Sequence, residues 1–555
     1  MTVDASRMAG SSIVVASQAV TSSADKALEV STDRGSRSLE TLCRLIVGLA
    51  AALALFGLST PAKAVPSFAR QTGQPCATCH TAFPELTPLG RRFKLNGYTI
   101  TGGMEPTEAP PIAAMVVPTF TKTKVRQDSP PTNPDGYPIA HVNDNFIMQQ
   151  ASLFYGGKIY GNVGALAQGT YDKASQHTYL DNTDIRYTDT YTFDRLDVLY
   201  GLDVNNGPTV QDVWNTTPAW GFPYVASTIA PAFSPPLTQV ENGWGGRSVG
   251  TGAYVFLNDM LYLEAAAYQN LSKGELNALG QTCPNNSDYV QNVAAWAALY
   301  YPPNQPYSSA CASSSLTGAS PYWRVAFEPR WGEHSLMLGA FGFYPQVLPG
   351  RVMGYGVDHY RDIGWDAQYQ WINDEHAVTL QVTRISEMQN LQGTYAQGIA
   401  AQAISALGVV NVFGVPPVTG NASSNPVDYL KSFKASAGYV WNRTISGTIA
   451  YFQINGSPDY TLYGNALISP GNSAVGLPNG KGLIFDAAYM PFSKGGPELW
   501  PWANAKLGLS YTHYLSLYGG TANFDGAGTY FNGSSWRSHT ATDNNTLFLY
   551  SWVAF

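Results

Sequence analysis

From about residue 113 to the C-terminus, apolar and polar side chains alternate in segments of roughly ten residues, and after Gly103 no segment shows helical periodicity. Period-two alternation marks strands with two unlike faces, as in a barrel that shows one face to lipid and the other to its lumen. In "KIYGNVGALAQGTYD", Ile159, Val163, Ala165, Ala167 and Tyr171 alternate with Asn162, Gln168 and Thr170. Sixteen such segments begin near residues 113, 145, 157, 183, 195, 248, 259, 321, 333, 361, 375, 430, 444, 481, 503 and 545.

The links between segments alternate in length as well. Short links at Gly156-Gly157, Asn258-Asp259, Trp331 to Glu333, Asn373 to Glu375 and Trp441 to Arg443 alternate with long ones at 206–247, 270–320, 386–429, 456–480 and 517–544. Outer-membrane barrels have short periplasmic turns and long outer loops. The parity therefore predicts an all-β, 16-stranded antiparallel transmembrane β-barrel, porin-like, with both ends facing the periplasm. Every strand in such a barrel is paired, so backbone can sit in lipid without an apolar helix. The last segment, "NNTLFLYSWVAF", sets Leu547, Leu549, Val553 and Phe555 on one face, as terminal barrel strands commonly do. A soluble sandwich or propeller would explain neither the parity nor this ending.

Composition agrees. Charged residues make up 12% of the 555, against about a quarter in ordinary globular proteins, and Tyr (34) and Trp (13) are plentiful. Trp365, Tyr369, Trp371, Trp441, Trp500 and Trp502 read as membrane-interface girdle residues. The net charge of −7 gives no sign of a nucleic-acid partner. The apolar run Leu45 to Leu58 follows Arg34, Arg37 and Arg44 and ends at Ala62-Lys63-Ala64, which predicts a leader over 1–64 cleaved after Ala64. Cys43 leaves with it. Cys283 and Cys311 stand in a polar Ser/Asn-rich stretch, where a disulfide would staple a long loop in an oxidising compartment.

The remaining two cysteines carry the chemistry. Cys76-Ala77-Thr78-Cys79-His80 is C-x-x-C-H, the attachment sequence of c-type haem: each thiol can form a thioether to a vinyl group, and the adjacent imidazole ligates the iron. A thioredoxin-like dithiol would want an α/β context, and a zinc site a second Cys/His pair; the sequence offers neither. Residues 65–106 thus predict a minimal segment with one covalent haem c, in or at the mouth of the barrel formed by 107–555. "PELTPLGRRFKLNGY" should supply one short helix over the porphyrin. Forty residues make too small a core to fold alone, so the segment should lean on the haem and the barrel. Arg70, Arg91, Arg92 and Lys94 are available to the propionates, to solvent or to a partner. Met104 is the favoured sixth ligand, with Met115, Met148 and His141 as alternatives.

"AVPSFARQTGQPCATCHTAFPELTPLGRRFKLNGY" resembles the haem segment of the fused cytochrome-porin family, outer-membrane monohaem cytochromes c of iron-oxidising bacteria. The family pattern is matched at Pro66, Phe68 to Arg70, Thr72-Gly73, Cys76 to His80, Pro84, Gly90-Arg91, Phe93-Lys94 and Gly97-Tyr98. "NNGPTVQDVWNTTPAWGFPY", Asn205 to Tyr224, is also similar to a stretch of that family. The resemblance implies an outer-membrane protein in which Cys76 and Cys79 tether the haem and His80 ligates it. It implies that extracellular Fe(II) supplies the electron and that a periplasmic cytochrome c or copper protein receives it. Two rival expectations stand beside it: a transport porin whose haem segment is a plug or sensor, and a haem enzyme acting on nitrogen, peroxide or sulfur compounds.

Overall fold

The computed structural model describes residues 66–555, apart from 105–107, 128, 133–136, 232–234, 242–243, 280–313, 352–353, 407–422, 464–472, 497–499, 526–529 and 532–535. The leader over 1–64 and the pair Cys283 and Cys311 lie outside the described residues.

The long strands follow one another as β1 (Ile112–Thr123), β2 (Asn145–Tyr160), β3 (Val163–Asp172), β4 (His177–Phe193), β5 (Leu196–Asn205), β6 (Ser248–Leu257), β7 (Leu261–Asn270) and β8 (Ser320–Phe327). The second half comprises β9 (His334–Phe343), β10 (Asp358–Ile372), β11 (His376–Asn390), β12 (Val427–Trp441), β13 (Ile445–Gly456), β14 (Gly480–Tyr489), β15 (Asn504–Ser516) and β16 (Thr546–Ala554). Each pairs antiparallel with its neighbours in sequence order. The sheet closes where β1 meets β16, from Met115 opposite Ala554 to Thr123 opposite Thr546. The result is a closed 16-stranded antiparallel barrel. Among the described residues no helix is long and apolar enough to cross a membrane.

The barrel is polar within and apolar without. On β10, Asp362, Asp366, Gln368 and Gln370 are buried in the lumen, whereas Ile363 and Trp365 face outward and are exposed. At the short-turn end an outward aromatic band includes Trp331 stacked on His334 and Trp371 on His376. On β16, Leu549 is exposed while Phe548 and Tyr550 are buried; the alternation lapses at the strand's end, where Val553 and Ala554 are both buried and Phe555 beyond it is exposed.

Link parity holds with two exceptions. The β3–β4 link at the long-loop end has only four residues, 173–176, and the β14–β15 link at the short-turn end is long, 490–503. One expected turn is corrected. Gly156 and Gly157 lie inside β2, opposite Leu166 and Ala165, and the chain reverses at Gly161-Asn162. The glycines serve close packing instead: a Cβ at Gly156 would lie 2.9 Å from Ser67 Oγ, and one at Gly157 2.5 Å from Gln71 Oε1. The N-terminal segment presses on the wall there.

Candidate cofactor site

Residues 66–104 lie inside the barrel at its short-turn end as two helices, α1 (Pro66–Thr72) and α3 (Pro88–Leu95), around a single turn α2 (Cys76–Cys79). α3 starts where the sequence says a helix should: Thr87 Oγ1 accepts from Gly90 N, and Pro88 occupies the first turn, where a missing N–H costs nothing. The Thr87 hydroxyl also donates to the Thr78 carbonyl at 2.7 Å, and Thr87 N to the Cys79 carbonyl at 2.9 Å. These bonds fasten the helix to the C-x-x-C turn. Gly90 is obligatory at this contact, since a Cβ would sit 2.2 Å from the Cys79 carbonyl oxygen.

The turn is fastened to the barrel as well. Ala77 N donates to the Ser493 carbonyl at 2.8 Å, and Asn504 Nδ2 to Cys76 Sγ at 3.3 Å. The long 490–503 link thus forms part of the site. His80 Nδ1 lies 3.1 Å from the Pro84 carbonyl, which can only accept, so the Nδ1 proton is held there and Nε2 is left with a lone pair. Burial pushes the imidazole down to about 4, so it stays neutral, and pushes the Cys76 and Cys79 thiols up to about 11.

These three side chains face a cavity of about 360 Å³ with mainly apolar and aromatic walls. The barrel contributes Met115, Phe154 and Trp552; Trp220 and Tyr224 come from the segment 206–247. The volume lies in the range of small-molecule sites, roughly 300–1,000 Å³. Two thiols beside a neutral imidazole can tether a flat apolar cofactor and give its metal one nitrogen ligand.

The four basic residues hold the segment to the barrel. Arg91 is fully buried, with Nη2 2.7 Å from Glu328 Oε1 and Nη1 donating to Gln368 and Gln370 at 2.9 and 2.8 Å. Arg92 pairs with Asp259 and with Asp197, the latter at 3.6 Å. Lys94 Nζ donates to the Val210 and Asp212 carbonyls at 2.7 and 2.8 Å, and burial lowers it to about 8. Arg70 donates to the Ile112 carbonyl and lies over Trp502 at 4.6 Å. Only Lys94 also reaches the cavity wall.

Met104 does not line the cavity; its N–H bonds to the Arg70 carbonyl at 2.7 Å. Met115 does, whereas Met148 points outward and His141 is exposed in the first long loop. No group of three or more His, Cys, Asp or Glu is arranged to hold a metal ion among the described residues.

Sequence reasoning missed the strap. Residues 206–247 were expected as an outer loop, but their described residues fold into the lumen and cover the segment. Asn215 Oδ1 accepts from Leu86 N at 3.0 Å, Tyr224 OH donates to Glu85 at 3.1 Å, and the fully buried Trp214 donates to Glu328 at 2.6 Å. The signal was there in a loop carrying "VWNTTPAWGFPY", too aromatic to stand in solvent.

No family model and no curated protein sequence matches the chain. Among solved structures it is similar to the outer membrane channel DcaP of Acinetobacter baumannii (10% identity, 80% of this chain and 96% of that one, TM-score 0.37). It is also similar to Salmonella typhi OmpF (11%, 80% and 97%, 0.35) and to an anion-selective porin from Comamonas acidovorans (9%, 80% and 98%, 0.34). Likeness at this level carries no functional reading.

Proposed function

We propose that this chain is an outer-membrane cytochrome of the fused cytochrome-porin type, in which one haem c is held inside the barrel at its periplasmic end. Extracellular Fe(II) gives the electron, and a periplasmic cytochrome c or copper protein receives it. The observation that carries the reading is the coincidence of C-x-x-C-H with an apolar cavity onto which both thiols and the imidazole face.

The residues suit such a group. Cys76 and Cys79 would hold it by thioethers, and His80 Nε2 would ligate its iron. Once bound, it supplies a one-electron carrier whose potential is set by its ligands and its burial. The chain's own groups do the rest. Pro84 fixes the imidazole tautomer, burial keeps that ring neutral, and Phe83, Phe154 and Trp552 give the site apolar walls. In this reading the strap serves to keep a ferric product outside while the electron passes.

The test is anaerobic addition of Fe(II) to the purified holoprotein, followed at the haem absorption bands. Reduction is expected; a haem that stays oxidised under excess Fe(II) rejects iron as the donor. A second reading, a transport porin with a haem-bearing plug or sensor, is favoured by the polar lumen wall of Asp, Gln and Thr side chains. It requires swelling of protein-loaded liposomes in small solutes.

A further inference from the structure

Resting on the haem reading above, we infer that Met115 supplies the second axial ligand, so that the first barrel strand and not the N-terminal segment completes the iron's coordination. The alternation of β1 aims Ala113, Met115 and Val117 into the lumen, and Met115 is 3% exposed on the cavity wall. His80 packs on Phe83, Met115 on Trp552, and the two rings touch each other on the wall of the one cavity that all four line. The His80 ring is 4.9 Å from Phe83, Phe83 is 4.9 Å from Trp552, and the Trp552 indole N–H donates to Met115 Sδ. A thioether sulfur has two lone pairs, so the indole leaves one for a metal.

The competing donors are engaged or turned away. Lys94 Nζ is bonded to two carbonyls, Tyr98 OH donates to Asp184 at 2.6 Å, and Tyr224 OH donates to Glu85. Apart from the tethering thiols and His80, Met115 is the only sulfur or imidazole side chain among the described residues of the wall. Met104 is tied back to α1, and Met148 is 46% exposed on the outer face of β2.

The assignment has a structural consequence. Met115 lies opposite Ala554 in the seam where β1 and β16 close the barrel, next to Trp552 of the last strand. The cofactor then bridges the segment and the closing strands. A neutral thioether in place of a second imidazole also raises the potential.

The experiment uses the full-length holoprotein with Met115→Leu, which keeps volume and polarity, Met115→His, and Met104→Leu. Covalent haem is measured on the denatured chain; spin state, potential and the weak far-red sulfur-to-ferric-iron charge-transfer band are measured on the folded one. Met115→Leu should keep covalent haem, lose the far-red band and turn high-spin. Met115→His should restore a low-spin spectrum without that band, at a lower potential than wild type. Met104→Leu should match wild type. A far-red band that survives both Met115 substitutions, that vanishes in Met104→Leu, or that is missing from haem-loaded wild type overturns the assignment. A wild-type chain without covalent haem sinks the cytochrome reading itself, a failure separable from the others by haem content alone.

Discussion

Two stretches of chain fill the same lumen by different means. The N-terminal segment is docked by cations: Arg91 and Arg92 reach wall and turn carboxylates, and Lys94 reaches the strap. The strap over 206–247 is held by neutral donors on wall carboxylates, Val240 N to Asp362, Gln239 N to Glu387 and Thr216 Oγ1 to Asp366, and by its own acids on wall cations, Asp212 near Arg324 at 3.5 Å and Glu241 near Lys434 at 3.0 Å. Cations on the docked segment suit a piece too small to fold alone, because a buried ion pair is costly to misplace and so fixes one register. The strap carries the opposite sign, its Asp212 and Glu241 meeting wall cations Arg324 and Lys434, and β5 and β6 already fix both its ends. Glu328 joins the two stretches, accepting from Arg91 on one side and Trp214 on the other.

The largest expected effect follows from breaking that junction. Arg91→Met leaves the buried Glu328 carboxylate with only Arg330 and Trp214, removes the bonds to Gln368 and Gln370, and should loosen the docked segment by about 1.5–3 kcal/mol. Limited proteolysis would then cut within 66–104 while the barrel keeps its heat-modifiable mobility on gels; an uncut segment would refute cation docking. Acid should mimic the substitution. Burial alone would raise Glu328, but Arg91, Arg330 and the Arg91 and Trp214 hydrogen bonds outweigh it, so the carboxyl titrates below its ordinary value. A group depressed in the folded state contributes stability above its unfolded pKa, about 4.3, and loses it as pH falls through the lower folded value. Protease sensitivity should therefore appear in wild type only as pH falls below the ordinary glutamate range, and Arg91→Met should lack that step.

How much of this could be read from sequence varies with the physics. Strand positions were legible because two unlike faces impose a period of two on every strand, and most starts fall within three residues of those expected. The Gly156-Gly157 turn misled because glycine marks reversals and close approaches alike; only the position of Ser67 and Gln71 separates them. The helix at Pro88 was legible because capping is local. The uses of Arg91, Arg92 and Lys94 were not, because their partners lie over a hundred residues away or more. Met104 was favoured on nearness in sequence, whereas the cavity wall is built across the barrel seam.

Trp214→Phe sharpens the comparison from the strap side. It removes one hydrogen bond to a charged acceptor, worth about 1.5–3 kcal/mol, and leaves Arg91 in place. The strap should become cleavable near 214–224 in detergent while 66–104 stays protected. Equal cleavage of both would mean that the two stretches unfold as one unit, and the contrast drawn between them would fail.

The smallest effect belongs to Arg92, which carries the same charge as its neighbour on α3 and forms comparable ion pairs. Its side chain is 28% exposed, and Asp197 and Asp259 are 40% and 32% exposed, so water screens pairs that look strong by distance. Arg92→Ala should cost about 0.2–1 kcal/mol and less as salt rises. Thermal release of the segment, followed by proteolysis at low and high salt, would resolve it from Arg91→Met. If Arg92→Ala matched Arg91→Met, net charge on the helix and not burial of one pair would be what docks the segment.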